Sequence, residues 1–258
     1  MGDTWETPGT ADQTEGAPVA RGGRAGTTAG ADGSDGRGDG RGAGRARLSR
    51  AAVVAAATEL ADDGGLAALS MRSVAGHLGV EAMSLYHHVR NKDDLLDGMV
   101  DAVFGEFHCP RPGAPWREEL RARSVSGRAV LRRHRWAVGL MDSRSAPGLE
   151  TLRHHDAMIG CLREAGFGLP LTAHALALLD AHLYGHMVQE LSLPFEGASE
   201  LETLADSILE GLPEGQLPHF REFALEHALQ PGYAFADEFE WGLDLVLDGL
   251  ARRLAESR

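Results

Sequence analysis

The feature that most constrains this chain is the segment 70–89, where two brief helical patterns are separated by a single glycine. Ser70 is of the type that caps a helix N-terminus, and a short helix is expected to begin directly after it. Gly79 follows at the position where a helix C-terminus often needs a positive φ, which glycine adopts without strain. A second short helix is predicted from about Glu81 or Ala82 to Val89. This arrangement predicts a helix-turn-helix, whose second helix presents its outer face to a DNA major groove.

The segments around this motif also have the spacing of helices. Apolar residues recur every three or four positions from Arg50 to about Asp63, and Gly64-Gly65 is expected to end that helix. Asn91 is predicted to cap a long fourth helix, with Asp94 at its third position completing an acidic version of the capping box. These signals predict four helices in the first ordered part of the chain.

Prolines at positions 110 and 112 indicate a boundary or a bend, beyond which the chain changes to long helices. The predicted helices span roughly Trp116–Met141, Gly148–Glu164, Thr172–Leu193 and Phe235–Glu256, with weaker ones at Ser199–Glu210 and Pro218–Leu229. The sequence has no strand pattern and no internal repeat. The predicted fold class is all-α, with an N-terminal three-helix helix-turn-helix domain over residues 45–108 and a larger helical domain over residues 109–258.

The first 44 residues are low in complexity, rich in glycine and arginine, and nearly free of large apolar side chains. Such a segment cannot bury enough surface to offset its ordering entropy, so residues 1–44 are predicted to be a disordered extension. Its run Gly36–Gly42 lacks the preceding strand and following helix of a phosphate-binding loop. Two interpretations stay open: an inert tail, or a basic arm in which Arg41, Arg45 and Arg47 enter a DNA minor groove.

Charge and cysteine content limit the class of protein. The formal net charge is −13, which argues against a nucleic-acid coat, although a small basic face can lie on an acidic body. The two cysteines form no CxxC pair, as expected of free thiols in a reducing cytosol. The sequence begins without the apolar run of a signal peptide, and its most apolar stretch, Leu169–Leu183, is too short to span a bilayer. A cytoplasmic protein with no membrane partner is therefore predicted.

The predicted second helix of the motif has an outer face suited to DNA. That face carries Ser84, Tyr86, His87 and His88, with Met83 at its leading end. Polar side chains of these types bond to phosphates or base edges, and a methionine can contact a thymine methyl group. Tyr86 is either a phosphate contact or a plain packing residue of the core.

The residues that hold and flank this face are also predicted. Leu85 and Val89, four positions apart, are expected to face the core. Bases at helix starts, among them Arg50, Arg72 and Lys92, flank the reading helix, whereas most acidic residues lie away from it. This partial segregation of charge is what a phosphate-binding face requires.

Four short motifs between Leu48 and Phe107 make the chain similar to a known family. They are Leu69–Ala75 (LSMRSVA), Leu78–Val80 (LGV), Ser84–Val89 (SLYHHV) and Asn91–Leu96 (NKDDLL). With these motifs in this order, the segment resembles the N-terminal domain of the TetR family of bacterial repressors. The C-terminal half resembles the ligand-binding domain of the tetracycline-repressor branch, through Gly166-Phe167, Tyr184-Gly185-His186, Phe239–Leu243 and Leu247–Leu250.

The resemblance implies a transcriptional repressor that binds a double-stranded DNA operator as a homodimer. It implies base or phosphate contacts from Ala82, Met83, Ser84, Tyr86 and His88, with Arg72 and Lys92 on the phosphates. Ala82 and Met83 stand where the tetracycline-repressor branch has a polar residue and a proline, so a different operator sequence is expected. The alternatives are an activator or DNA-binding protein without ligand sensing and, more remotely, an enzyme. No metalloprotease, nucleotide-loop or nucleophile-elbow motif is found in the sequence.

The resemblance also implies that the C-terminal domain binds a small, largely apolar effector and forms the dimer interface. The helices near Thr172–Leu193 and Phe235–Glu256 would pair with their mates in a four-helix bundle. Alternatively, the apolar stripe of the last helix serves only the core of its own chain. The implied pocket residues are Phe104, His108, Trp136, Met141, His154, His155, Met158, His182 and His186.

Neither a cofactor nor a metal ion is predicted from the sequence. His182 and His186 have metal-ligand spacing on one helical turn, but a single pair four positions apart is a weak signal. The magnesium–tetracycline ligand of the similar branch is not carried over, because the Val138–Met141 region lacks a histidine.

Overall fold

The computed structural model describes residues 48–141, 143–144, 146–194, 198–211 and 215–257. The predicted extension 1–44 lies outside these residues, as do Arg45 and Arg47 of the predicted DNA arm. Within the described ranges every regular element is a helix and no strand occurs, which confirms the all-α prediction.

The N-terminal part of the described chain contains four helices, α1 to α4. They span Arg50–Ala68, Met71–Leu78, Ala82–Leu85 and Lys92–Glu106. α1 begins after Ser49, whose hydroxyl accepts a hydrogen bond from the backbone N–H of Ala52 at 3.2 Å. The predicted end at Gly64-Gly65 is correct only in part: Gly65 leaves the helical region with a φ of 67°, but a last turn continues to Ala68. The positive φ therefore kinks α1 without ending it.

The turn between α2 and α3 is built from local hydrogen bonds. The Ser70 hydroxyl accepts from the Ser73 N–H at 3.0 Å, and the Ser73 hydroxyl accepts from the Ser70 N–H at 2.8 Å, so α2 starts in a capping box. At its other end Gly79 has a φ of 65°, and the N–H of Val80 donates to the Ala75 carbonyl at 3.0 Å. The predicted glycine turn is confirmed, and it sets the direction in which α3 leaves α2.

α4 begins after Asn91, whose side-chain oxygen accepts from the Asp94 N–H at 2.8 Å, as predicted. The reciprocal bond differs, because the Asp94 carboxylate accepts from the N–H of Arg90 at 2.8 Å. The prediction of a complete capping box is therefore wrong in this bond. An aspartate is one methylene shorter than the glutamate of a capping box, and Arg50 holds both Asp94 oxygens at 2.9 and 3.0 Å.

The described chain continues with the helices α5 to α10. They span Trp116–Arg133, Leu149–Glu164, Leu169–Ser192, Ala198–Glu210, Pro218–Phe223 and Glu238–Glu256. α5 ends well before the predicted Met141, because a 3-10 turn at Arg135–Ala137 follows His134. The His134 ring lies between two carboxylates, with Asp62 at 2.8 Å and Glu106 at 3.2 Å, and these contacts fix the direction of the chain there.

Turns of other helical types follow α9 and precede α10. α9 widens after Phe223 into a π-helical turn at Ala224–Ala228, so the predicted single helix Pro218–Leu229 is divided. A 3-10 turn at Phe235–Asp237 leads into α10, which starts a few residues later than predicted. Both differences lie at helix ends, where the hydrogen-bonding pattern commonly tightens or loosens.

Apolar side chains from the N-terminal and C-terminal helices share one core. α1 packs on α4, α4 packs on α6, and α10 packs on α7. The fully buried Val53, Met99, Leu179 and Leu243, from α1, α4, α7 and α10, belong to the same cluster. α4 therefore connects the helix-turn-helix to the C-terminal helices. None of the helices in the described part of the chain is both long and apolar enough to span a lipid bilayer.

Candidate DNA-reading face and effector site

The outer face of α3 and of the turn after it is exposed. Met83 has 71% of its surface exposed and Tyr86 46%, and His87 is exposed as well. Leu85 and Val89 are buried, which confirms that they face the core. The alternative that Tyr86 is a core residue is wrong. The half-buried members of the predicted face are Ala82, Ser84 and His88.

The regular part of the reading helix is shorter than predicted. It ends at Leu85 and not at Val89, because the N–H of Tyr86 bonds to the Met83 carbonyl, three residues back. The chain then continues as tight turns, in which the N–H groups of His88 and Val89 donate to the Leu85 carbonyl at 2.8 and 3.0 Å. The side chains of the face are thus carried by one helical turn and a compact extension of it.

The three flanking cations differ in how their charged groups are used. Arg72 is exposed on the first turn of α2. Lys92 is exposed too, but its Nζ donates to the Leu69 carbonyl at 2.8 Å, which ties α4 to the link between α1 and α2. Arg50 donates to both carboxylate oxygens and to the carbonyl oxygen of Asp94. Arg50 and Lys92 therefore brace the helices that carry the reading face.

The pair of Arg50 and Asp94 was not foreseen from the sequence. Hydrogen bonds from the Arg50 guanidinium hold the pKa of the Asp94 carboxyl far below its ordinary value, burial opposes this shift, and the Arg90 N–H adds to it. Asp94 is consequently an ionised acceptor at neutral pH. The pair joins the first turn of α1 to the first turn of α4. In the sequence, these two helices precede and follow the α2–α3 pair.

Three of the predicted effector residues come together between α4 and α6. The ring of Phe104 lies 5.6 Å, between centroids, from each of His154 and His155. His108 follows Phe104 by four positions but contacts a different group. Its Nε2 lies 2.8 Å from the buried carboxylate of Glu119.

The remaining predicted effector residues have other neighbours. The indole N–H of Trp136 donates to Asp62 of α1 at 2.7 Å. Met141 and Met158 are buried in the apolar core.

His182 and His186 face α10. The His182 ring stacks on Phe239 at 5.1 Å and its Nε2 lies 2.9 Å from the Phe239 carbonyl oxygen, while the His186 ring stacks on Phe235 at 4.8 Å. Burial lowers the pKa of His186 to about 4. Both rings thus take part in the packing of α7 against α10. No group of three or more metal-ligating side chains is found among the described residues.

A buried cation that sequence reasoning missed lies at the centre of the C-terminal helices. Arg123 of α5 is fully buried. Its Nε donates to Nε2 of His154 at 3.1 Å, its Nη2 donates to Asp180 at 2.6 Å, and its guanidinium lies 5.7 Å from the centre of the Phe107 ring. We call Arg123, His154 and Asp180 the polar centre. A signal existed in the sequence, because Arg123 follows Leu120 by three positions on the buried stripe of α5.

The protonation state of the polar centre follows from its hydrogen bonds. Burial, and after it the charge of Arg123, lower the pKa of His154 to about 3, so the ring is neutral at physiological pH. An arginine has only donors, so Nε2 of His154 must accept and the ring proton must lie on Nδ1. In the polar centre Arg123 therefore donates to both Asp180 and His154, and these groups lie next to aromatic rings.

Clefts also occur at several helix junctions of the described chain. One of about 600 Å³ lies where α1, α4 and the start of α6 meet. A second of about 910 Å³ runs between α7 and α10 past Leu178 and Leu245. A third, of about 200 Å³ and entirely apolar, lies between α8 and the segment that begins with α9. The predicted effector residues line none of these three clefts.

Comparison with known protein families gives two matches that together cover most of the chain after its first 50 residues. A family described as bacterial regulatory proteins, tetR family, matches residues 53–99. A second, described as the tetracyclin repressor-like C-terminal domain, matches residues 109–254. The first match ends inside α4, and the second begins at Cys109, after the end of α4 and next to the prolines.

Individual proteins give the same result. A transcriptional regulator of the helix-turn-helix type from Saccharopolyspora erythraea is 38% identical, over 55% of this chain and 61% of its own length. The transcriptional repressor DrrR1 of Streptomyces coeruleorubidus is 32% identical, over 80% of this chain and 78% of its own. The structure of ActR from Streptomyces coelicolor in complex with actinorhodin superimposes with a TM-score of 0.69 at 28% identity, over 83% of this chain and all of that one.

Proposed function

The chain belongs to the TetR family of bacterial regulators, and on that premise we propose how its parts divide the work of a ligand-responsive, DNA-binding repressor. The exposed face of α3 reads a palindromic operator, the C-terminal helices pair two copies, and a small, largely apolar effector bound in the body releases the DNA. The observation that carries this proposal is an exposed reading face held on the same rigid core as a buried polar centre.

On the operator, Met83, Ser84 and Tyr86 lie against base edges and phosphates. Arg72, at the exposed start of α2, binds a phosphate at the edge of the groove. Ala82 has no hydrogen-bonding side chain, so discrimination between bases rests on Ser84, the two histidines and the shape of the DNA. Arg50 and Lys92 contribute by holding α1 and α4 in place and add their exposed charge to the same surface.

Two copies pair through the outer faces of α7 and α10. Leu178, Leu245 and Trp241 are exposed there at 50, 53 and 66%, beside the cleft that runs between the two helices. Apolar side chains in a contiguous exposed patch favour burial against a partner, and a twofold pairing of two helices from each copy gives a four-helix bundle. Such a dimer presents two reading helices about 34–36 Å apart, one helical turn of DNA.

Release of the DNA works through α4 and α6. Asp101 of α4 accepts from the N–H and the hydroxyl of Thr151, at 2.8 and 2.9 Å, at the first turn of α6. Arg144, which precedes α6, binds Asp97 of α4 at 2.6 Å. An effector that binds better to a form with shifted α6 therefore changes the position of α4 and the spacing of the reading helices. That ActR is found with actinorhodin supports a small-molecule effector in a chain of similar fold.

This role is regulatory rather than catalytic and belongs in the cytoplasm, where the operator is. An activator that senses no ligand is the alternative, and it differs in one respect: no compound that binds it would release the DNA.

Titration onto labelled DNA from the region flanking its own gene, read by fluorescence anisotropy at two salt concentrations, tests the proposal. We expect tight binding to one palindromic site and a steep loss of affinity with salt. Arg72→Ala is expected to weaken binding to specific and random DNA alike and to reduce the salt slope by about one. Arg153→Ala, which removes an exposed cation on α6, is the charge-matched control. Equal affinity for the flanking region and for random DNA contradicts the proposal.

A further inference from the structure

The polar centre contains donors that the protein itself does not use. Nη1 of Arg123 and Nδ1 of His154 have no hydrogen-bond partner within the described part of the chain, although both side chains are at least 98% buried. A buried donor without an acceptor is costly, and more so on a charged group. Two such donors on adjoining side chains are a combination that a bound acceptor would satisfy.

The net charge around these donors indicates what kind of acceptor fits. The guanidinium of Arg123 is already neutralised by Asp180, and His154 is uncharged. Among the groups close by, the Nδ1 of His155 bonds to the Thr151 carbonyl, and His108 faces Glu119. No excess positive charge is left for a fully charged anion to neutralise, so a neutral oxygen acceptor is favoured.

The walls next to the donors are aromatic. Phe104 and Phe107 each lie 5.6 Å, between ring centroids, from His154, and Phe107 also lies under the guanidinium of Arg123. Such rings favour flat, apolar partners through stacked or edge-on contacts. Among neutral oxygens conjugated to a flat ring system, the carbonyl oxygens of aromatic ketones and quinones are stronger acceptors than phenol or ether oxygens and can take both donors at once.

We propose that Arg123 and His154 bind a carbonyl oxygen of a flat aromatic effector, with Nη1 and Nδ1 donating to it and Phe104 and Phe107 contacting its rings. The inference rests on the proposed function, since the effector of a ligand-responsive repressor is the molecule that occupies this site. It adds to that function the chemical class of the effector and the residue, Arg123, that selects it.

Two probes that differ at one position test the inference. 9-Fluorenone and fluorene share the same flat carbon skeleton, but only fluorenone has a carbonyl group in place of a methylene. Titration calorimetry with the full-length protein is expected to give at least tenfold tighter binding of fluorenone, because a hydrogen-bonded oxygen adds to the same ring contacts. His154→Phe removes one of the two proposed donors, so it is expected to lower the ratio of the two affinities about threefold while binding of fluorene persists.

A second variant guards against misfolding. Arg123→Met combined with Asp180→Asn removes the cation together with its partner, so no unpaired charge is left buried, and it is expected to lower the ratio by more than His154→Phe does because it removes the charged donor. His219→Phe, which replaces an exposed histidine on α9, is the matched control and should leave the ratio unchanged. Circular dichroism and the thermal midpoint establish that each variant is folded.

The outcomes separate this inference from the proposed function. Equal affinity of the wild type for the two probes, including no measurable binding of either, overturns the inference, as does a ratio that is undiminished in both folded variants. Operator binding is measured on the same samples. A protein that binds its operator but does not discriminate between the probes retains the proposed function and loses only the effector class.

Discussion

The reading head, α1 to α3 with the start of α4, and the polar centre of the body satisfy their polar groups in different ways. In the head, the Ser70 and Ser73 side chains bond within one turn of helix, and Asn91 caps α4 three residues on. In the polar centre, Arg123 is paired with residues 31 and 57 positions away and still has a donor without a partner. The helix caps of the head are satisfied locally and its α3 face is exposed to water, although the buried hydroxyl of Thr58 in α1 has no partner within the described residues. The body instead encloses a charged side chain that retains an unpaired donor.

This difference has an energetic consequence. Substitutions on the exposed reading face should change DNA binding at little cost in folding, because surface side chains contribute little to stability. Substitutions at the polar centre should affect folding and ligand binding together. The predictions that follow test this contrast, in order of decreasing expected effect.

Arg123→Met should be the most damaging of these substitutions. It leaves Asp180, whose side chain is 22% exposed, and the buried Nε2 of His154 without their donor, and each acceptor left unsatisfied costs about 1–3 kcal/mol of unfolding free energy. Urea unfolding measures the change. Arg153→Met on the surface of α6 is the matched control, with an expected change below about 0.5 kcal/mol. A similar loss in both variants would remove the contrast between buried and exposed cations.

Gly79→Ala should destabilise the head by about 1–2 kcal/mol, because a side chain strains the left-handed φ of 65° although it meets no neighbouring atom. Gly76→Ala, three residues earlier within α2, also meets no atom and has an ordinary helical φ, so it should stabilise by up to about 1 kcal/mol. If the stability of the head depends on the turn at Gly79, the thermal midpoints of the two variants shift in opposite directions from that of the wild type. Shifts of the same sign contradict that dependence.

Acid should destabilise the protein through the body before it does so through the head. The pKa of His154 is about 3 in the folded state and 6.5 in the unfolded chain, so on acidification the unfolded chain takes up a proton at this ring first. The contribution of the ring to the free energy of unfolding is therefore intact above pH 6.5 and falls as the pH drops toward 3. Between pH 8 and pH 5.5 the expected loss from this residue is roughly 1–2 kcal/mol. His186, with a pKa of about 4, acts in the same direction.

Urea unfolding at a series of pH values measures this dependence. His154→Phe should flatten the profile between pH 8 and pH 5.5 relative to the wild type, whereas His219→Phe on the exposed surface of α9 should leave it unchanged. The depressed pKa of Asp94 in the head acts in the same direction at lower pH: its pairing with Arg50 is intact above about pH 4 and is lost only below it. An unchanged profile in His154→Phe contradicts the assignment of the acid sensitivity to the polar centre.

Ser70→Ala should have the smallest effect, a loss of about 1 kcal/mol, because it removes one side of the capping box of α2. Denaturant unfolding measures it, and Ser143→Ala in the loop after the 3-10 turn, where the hydroxyl bonds only to carbonyls of its own turn, is the control. A loss as large as that of Arg123→Met would show that local caps and long-range pairs contribute equally.

The parts of the molecule that could be predicted from the sequence are those set by local signals. The starts of α1, α2 and α4 and the turn at Gly79 follow from residues within a few positions, and Leu85 and Val89 face the core as their spacing indicates. The reading face was found in the same way, although its role on DNA remains a prediction.

Features that depend on distant partners could not be predicted. α5 ends at Arg133, where the ring of the next residue, His134, binds Asp62, 72 positions earlier in the chain. The polar centre joins Arg123 to Asp180 across 57 positions, and no local pattern in the sequence encodes that contact. Several of the implied effector residues, such as His182, instead pack against α10, because an apolar stripe on a helix has the same spacing whether it lines a pocket or a core.

On the single turn of α3, the side chain of Leu85 is buried and that of Met83 is exposed. This arrangement has a consequence for how the DNA-binding specificity of such a repressor changes in evolution. The inward side chain anchors the element, while the outward one, 71% exposed, contributes almost nothing to folding. Given the operator contact proposed for Met83, a gene copy that exchanges this residue is expected to change its operator in a single step, with no compensating change in the core. Target choice in this architecture evolves without being limited by the stability threshold that constrains the rest of the chain.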